Sequence, residues 1–165
     1  MHTKLKKNAV YFFFLLMTAF CLSGCEKNPK NFTVDEMTIT LNEGFKQSKM
    51  NGFDAYFASE DVTFSIKIEN NSDLEYMGYE ISNLRDYAIE ICNLNGINPD
   101  SLKQRGQYYY FSNSATKSGA KYTYLHCMLK NNSDYWICEF VCKARDFDKL
   151  EESMLKWADS IVFDN

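Results

Sequence analysis

The stretch KYTYLHCMLKNNSDYWICEFVCK, residues 121–143, reads as two strands folded back on each other. Apolar and polar side chains alternate on both sides of KNNSD, which is rich in turn formers. Folding back at Asn132-Ser133 sets Asn131 against Asp134, and therefore Cys127 against Cys138 and His126 against Glu139. A two-residue or a four-residue loop gives the same register. Successive side chains point to opposite faces. One face then carries Thr123, Leu125, Cys127, Leu129, Trp136, Cys138, Phe140 and Cys142, and is expected to be core. The other carries Tyr122, Tyr124, His126, Met128, Tyr135, Ile137, Glu139 and Val141, a mixture of greasy, aromatic and polar-tipped groups.

Outward from this hairpin the pattern stays short and alternating. EMTITL (36–41) reads as a strand closed by the turn Asn42-Glu43-Gly44. FDAYFAS (53–59) and VTFSIKIE (62–69) are two more strands, with Asn70–Asp73 ending the second. A helix follows, with Ser82 as candidate N-cap and Leu84, Tyr87, Ala88, Ile91 and Leu94 at helical spacing. Asn95-Gly96 supplies its left-handed stop. GQYYYFS (106–112) is a strand, and SATKSGA (114–120) reads as a loop because it holds little apolar content. A last helix starts at a capping Asp146, buries Phe147, Leu150, Met154, Trp157 and Ile161, and leaves SIVF (160–163) as a closing strand. Strands joined by hairpins, with helices between groups of them, indicate an α+β fold: an antiparallel sheet flanked by helices.

The chain of 165 residues is expected to hold one globular domain. Aromatic residues make up 16% of it, with 13 Phe and 11 Tyr, enough large rings for a substantial core. The net charge is −4, and no basic tract follows residue 7, which argues against a nucleic-acid partner.

The first 25 residues carry an address. Lys4, Lys6 and Lys7 precede the apolar run NAVYFFFLLMTAFCL (8–22), about the length of a signal-peptide core and short for a membrane span. Leu22-Ser23-Gly24-Cys25 resembles the lipobox of bacterial lipoproteins, in which the cysteine receives a diacylglyceryl group and the chain is cut just before it. Cys21 is the poorer candidate, since bulky Phe20 precedes it. The expected organisation is a lipoprotein signal peptide at 1–24, a lipidated Cys25 with a short polar tether to residue 31, and a single domain at 32–165. The expected location is the bacterial cell membrane, lipid-anchored and facing outside the cytoplasm. Two acyl chains give stable attachment where one does not.

ITLNEGF (39–45), AYFASEDVTFSI (55–66), NLNG (93–96), YYYF (108–111) and YWICEFVCKARDFDKLEESMLKWADSI (135–161) together resemble bacterial lipoproteins of the PsbP-like superfamily. The likeness spans most of Met37–Phe163 and contains no catalytic motif. It implies an α/β/α sandwich around an antiparallel sheet. Characterised members of that superfamily include an extrinsic photosystem subunit and a nuclear transport factor that binds a small GTPase, so the roles implied are binding and assembly. Neither partner carries over: nothing here points to a photosystem, and a lipobox is incompatible with the nucleus.

The residues themselves offer few groups for chemistry. His126 is the one histidine beyond the leader. It cannot form a nucleophilic dyad with Cys127, because strand neighbours point to opposite faces. His126 opposite Glu139 is either a pH-sensitive pair or an ordinary cross-strand charge pair, which contributes roughly 0.2–1 kcal/mol. Cys127 opposite Cys138 is either a cross-strand disulfide or two buried thiols. Cys138 and Cys142, ~13 Å apart on one strand, cannot bridge. Neither CxxC nor HxxxH spacing is present to hold zinc. Asp146, Asp148, Glu151 and Glu152 fall at a helix start, where acids offset the helix dipole. No phosphate-cradling or nucleophile motif occurs, and no cofactor is expected. Tyr108–Tyr110 with Tyr122 and Tyr124 form either an exposed aromatic platform or a layer beneath a helix. The candidate binding face is Tyr122, Tyr124, His126 and Tyr135. The leading expectation is a lipid-anchored binding or assembly module without catalysis, whose partner is a protein or envelope component. A small-ligand carrier or small secreted enzyme using a cleft near His126 is the alternative, and a purely structural envelope spacer is the third.

Overall fold

The hairpin at 121–143 forms in the expected register: Asn131 pairs with Asp134, His126 with Glu139 and Cys127 with Cys138. Its two-residue turn places Asn132 at φ 51°, a left-handed conformation that asparagine tolerates better than most residues. The computed structural model describes residues 28–164, so Leu22, Ser23, Gly24 and Cys25 lie outside the described residues.

The strands are β1 (Pro29–Val34), β2 (Met37–Asn42), β3 (Lys46–Ser48), β4 (Ala55–Ala58), β5 (Val62–Asn70), β6 (Lys103–Arg105), β7 (Tyr108–Lys117), β8 (Ala120–Asn131), β9 (Asp134–Lys143) and β10 (Val162–Phe163). The helices are α1 (Asn71–Tyr76), α2 (Leu84–Leu94) and α3 (Phe147–Asp159). The main sheet runs β3-β4-β5-β9-β8-β7-β6, and a small one runs β1-β2-β10. Every pairing is antiparallel. This is the expected α+β class.

Two cores lie on opposite faces of the main sheet. The larger packs the small sheet and α3 against it. Phe57, Phe64 and Phe140 stack across β4, β5 and β9 with centroids 5.7 and 4.5 Å apart, and Trp157 of α3 closes the row 5.9 Å from Phe140. All eight residues assigned to the core face of the hairpin are buried here. Truncating one of these rings to alanine costs about 3–5 kcal/mol. The smaller core lies under α2, where Tyr87 stacks on Tyr135 at 4.4 Å above Phe111 and Met128.

Five local features differ from the sequence expectation. β1 begins at Pro29, so the last three residues of the expected tether pair with β2; their polar side chains hid an edge strand. The segment at Asn70 starts α1, because the Asn70 side chain accepts from the Ser72 amide. The N-cap of α2 is Asn83, accepting from the Arg85 and Asp86 amides, and Ser82 lies one residue outside. Residues 114–117 continue β7, and the chain turns at Ser118-Gly119, both at positive φ. This ribbon is polar on both faces and is held by its ladder and by a Ser114–Thr123 hydroxyl bond of 2.9 Å. Asp146 occupies the position before α3 but makes no side-chain cap bond.

Candidate functional site

The second face of the main sheet is only partly roofed. α2 has 11 residues, about 16 Å of helix roughly 10 Å wide, whereas neighbouring strands lie about 4.8 Å apart. One such helix covers about two strands, and α2 packs on β7 and β8. The outward side chains of β5 and the middle of β9 are left beside it. The result is a groove along one flank of α2, made of two adjoining hollows of about 220 and 240 Å³ that share Lys67, Glu69, Ile91 and Leu94.

The floor of the larger hollow includes Ser65, His126, Ile137 and Glu139. His126 is buried, 4% exposed, and its ring stacks on Phe111 at 4.6 Å. Nδ1 lies 3.1 Å from the Glu139 carboxylate, and Nε2 lies 3.1 Å from Asn113 Oδ1. Burial lowers the imidazole pKa from 6.5 to about 4 and raises the Glu139 carboxyl from 4.5 to about 6. Both shifts have one cause, the cost of holding a charge away from water. At neutral pH a neutral His126 therefore donates from Nδ1 to ionised Glu139. Nε2 is then an acceptor, satisfied when the Asn113 amide turns its NH₂ toward it.

Glu69 borders both hollows. It accepts from the Tyr87 hydroxyl at 2.7 Å and is ion-paired with Lys67. The Tyr87 phenol is pushed far up, chiefly by burial and also by that bond, so it stays a donor. The rim carries exposed apolar side chains: Phe53 at 39%, Met77 at 61% and Leu94 at 62%.

The residues singled out from sequence are divided by this geometry. Tyr122 and Tyr124 are half-buried, and the Tyr124 ring lies 6.2 Å from His126. Tyr135 is not a surface group. It is fully buried under Tyr87, and its hydroxyl has no hydrogen-bond partner. Tyr108 and Tyr110 turn toward the larger core and Tyr109 toward the smaller, so the three form no common platform. Tyr108 donates to Asp159 at 3.0 Å, beside the Arg105 cluster with Asp159 and Glu152. Cys127 and Cys138 face each other as free thiols, both fully buried, and burial pushes both thiols up. Among the described residues no cluster of three or more His, Cys, Asp or Glu is placed to hold a metal ion.

Sequence reasoning missed Phe53, Lys67, Glu69 and Met77 as groove residues and placed Leu94 in the buried stripe of its helix. Leu94 lies in the last turn, beyond the reach of the sheet beneath. The one available signal was the odd-numbered set of VTFSIKIE, Thr63, Ser65, Lys67 and Glu69, which is wholly polar and so marks a strand face that does not belong to a core.

No protein-family model matches the chain. No curated protein matches it either. Solved structures do. A crystal structure from Bacteroides thetaiotaomicron VPI-5482 aligns over 85% of this chain at 13% identity and TM-score 0.55. The alignment spans about half of that longer chain, 49%. The Ran-binding protein Mog1p of Saccharomyces cerevisiae aligns over 83% of this chain and 96% of its own, at 7% identity and TM-score 0.53. The solution structure of cyanobacterial PsbP from Synechocystis sp. PCC 6803 aligns over 86% of this chain and 95% of its own, at 11% identity and TM-score 0.44. At such identities the likeness to the first two is one of fold alone.

Proposed function

We propose that the chain is a binding module, held at the outer side of a bacterial membrane by lipid on Cys25, that acts by docking a partner and not by catalysis. The observation that carries this reading is the groove beside α2. It joins exposed apolar side chains, Phe53, Met77 and Leu94, to a floor of polar groups on a rigid sheet. Apolar groups gathered at a concave, unroofed site favour association, since docking removes them from water. The lipid anchor rests on Leu22-Ser23-Gly24-Cys25. Among the described residues no helix is long and apolar enough to cross a membrane. The Ran-binding protein Mog1p, which has a similar fold, supports a protein-docking role, and only by analogy.

A carrier of small ligands is the second reading, favoured by the 240 Å³ hollow that contains His126 and Glu139. The two readings separate in one experiment. The full-length chain, Cys25→Ala and Leu94→Asp are expressed in a bacterial host, fractionated and crosslinked. The binding reading expects the wild type and Leu94→Asp in the detergent phase, Cys25→Ala in the aqueous phase, and a discrete crosslinked partner for the wild type that Leu94→Asp loses. A partner retained by Leu94→Asp, or none for any form, would count against docking through the groove. Cys25→Ala remaining in the detergent phase would remove the anchor.

A further inference from the structure

We infer that the groove beside α2 receives a cationic segment of a partner protein, one that presents bulky apolar side chains flanked by Lys or Arg. This rests on the binding-module reading and names the chemistry of its partner.

The charge of the groove is one-sided. A third hollow, lined by Glu75 and Glu80, continues the groove past Tyr79 and Ile81. Among the described residues the full course of the groove is bordered by Glu69, Glu75, Glu80, Glu90 and Glu139, against Lys67 as the one cation. Lys67 is already spent on Glu69. Among the described residues Glu75, Glu80 and Glu90 have no ion-pair partner, and Glu139 faces only His126, which is neutral and brings no charge. Like charges gathered around a concave apolar surface reinforce one another's field and draw in the opposite sign. An anionic segment would meet several uncompensated carboxylates, and a purely apolar one would leave Glu139 desolvated without a counter-ion.

The apolar groups set the rest of the description. Phe53 borders the end nearest His126, with Ile137 in the floor, Met77 and Ile81 line the other end, and Leu94 borders both hollows. The flank of α2 is about 16 Å long, the length of three helical turns or of four to five extended residues. A short amphipathic segment therefore fills it. Glu139 gives the match a chemical signature. Burial now holds its pKa at about 6, and a bound ammonium or guanidinium would draw it back down.

The test uses the full-length chain in zwitterionic nanodiscs, with empty discs as the blank. The probes are a fluorescein-labelled amphipathic peptide of leucine and lysine and its counterpart with glutamate for lysine. Anisotropy is read at ~0.02 M and ~0.5 M salt. The lysine peptide is expected to bind saturably and at least about tenfold more tightly than the glutamate peptide, with the margin shrinking in high salt. Glu90→Lys is expected to weaken it about tenfold, and Leu94→Asp to weaken it further. Equal binding of the two peptides, or no effect of Glu90→Lys, would overturn the inference. So would a concentration-dependent dimer in sedimentation that Leu94→Asp abolishes and the peptide leaves unchanged, since a second copy would then fill the groove. If the lysine peptide fails while Leu94→Asp still removes the crosslinked partner in membranes, the cationic segment falls and the binding module stands. Failure of both removes both.

Discussion

Acid should act on the His126–Glu139 pair in two opposed directions. His126 has a folded pKa of about 4 against 6.5 for a free imidazole. Between those values the unfolded chain binds the extra proton, so His126 loses stability for the fold as pH falls. Glu139 has a folded pKa of about 6 against 4.5. Between those values the folded chain binds the extra proton, so Glu139 adds stability as pH falls. Going from pH 7.5 to pH 5, the His126 term amounts to a loss of about 2 kcal/mol and the Glu139 term to a gain of about 1 kcal/mol. The wild type shows only their small difference, on top of the background of other carboxylates. Removing either partner uncovers the other. His126→Gln should lose about 2 kcal/mol less than the wild type over that interval, and Glu139→Gln about 1 kcal/mol more. Urea unfolding at the two pH values, followed by the fluorescence of Trp136 and Trp157, measures all three. The background is common to the three proteins and cancels in the comparison. If His126→Gln loses more than the wild type on acidification, His126 is protonated in the fold and pairs with Glu139 as an imidazolium, which would refute the neutral-histidine account.

Two further outcomes follow from the same structure. Asn83→Ala should destabilise by about 1 kcal/mol through loss of the cap on α2, whereas Ser82→Ala should stay within about 0.5 kcal/mol; thermal melts decide between the two positions. Cys92, Cys127, Cys138 and Cys142 should resist a thiol reagent in the folded protein and all react after unfolding in urea, and a missing pair after unfolding would mean that Cys127 and Cys138 are bonded.

Much of the fold was legible from local chemistry. The β8–β9 register followed from one tight turn and a clean alternation, and it carried the facing pairs His126–Glu139 and Cys127–Cys138 with it. The N-cap of α2 was displaced by one residue because Ser82 and Asn83 both have capping side chains, and only backbone geometry chooses between them. The end of β7 was hidden because its side chains face solvent on both sides, so no periodicity marks it. Of the groove only the hollow near His126 was legible, as a cleft on that face; its course along α2 was not. It depends on where α2 rests across the sheet, over β7 and β8, and no pattern within either element encodes that lateral position. The same placement buried Tyr135 while leaving Tyr122 and Tyr124 half-exposed on one nominal face. Leu94 kept helical spacing but outran the surface below it.

The central claim is that the protein works by docking a partner in the groove beside α2. A photo-crosslinking amino acid at position 94 of the full-length chain, activated in native membranes, tests it most directly, with position 116 on the exposed β7–β8 ribbon as the comparison. The account predicts a discrete adduct from position 94 that Glu90→Lys weakens, and none from position 116. An adduct from position 116 alone, or from neither position, would contradict it.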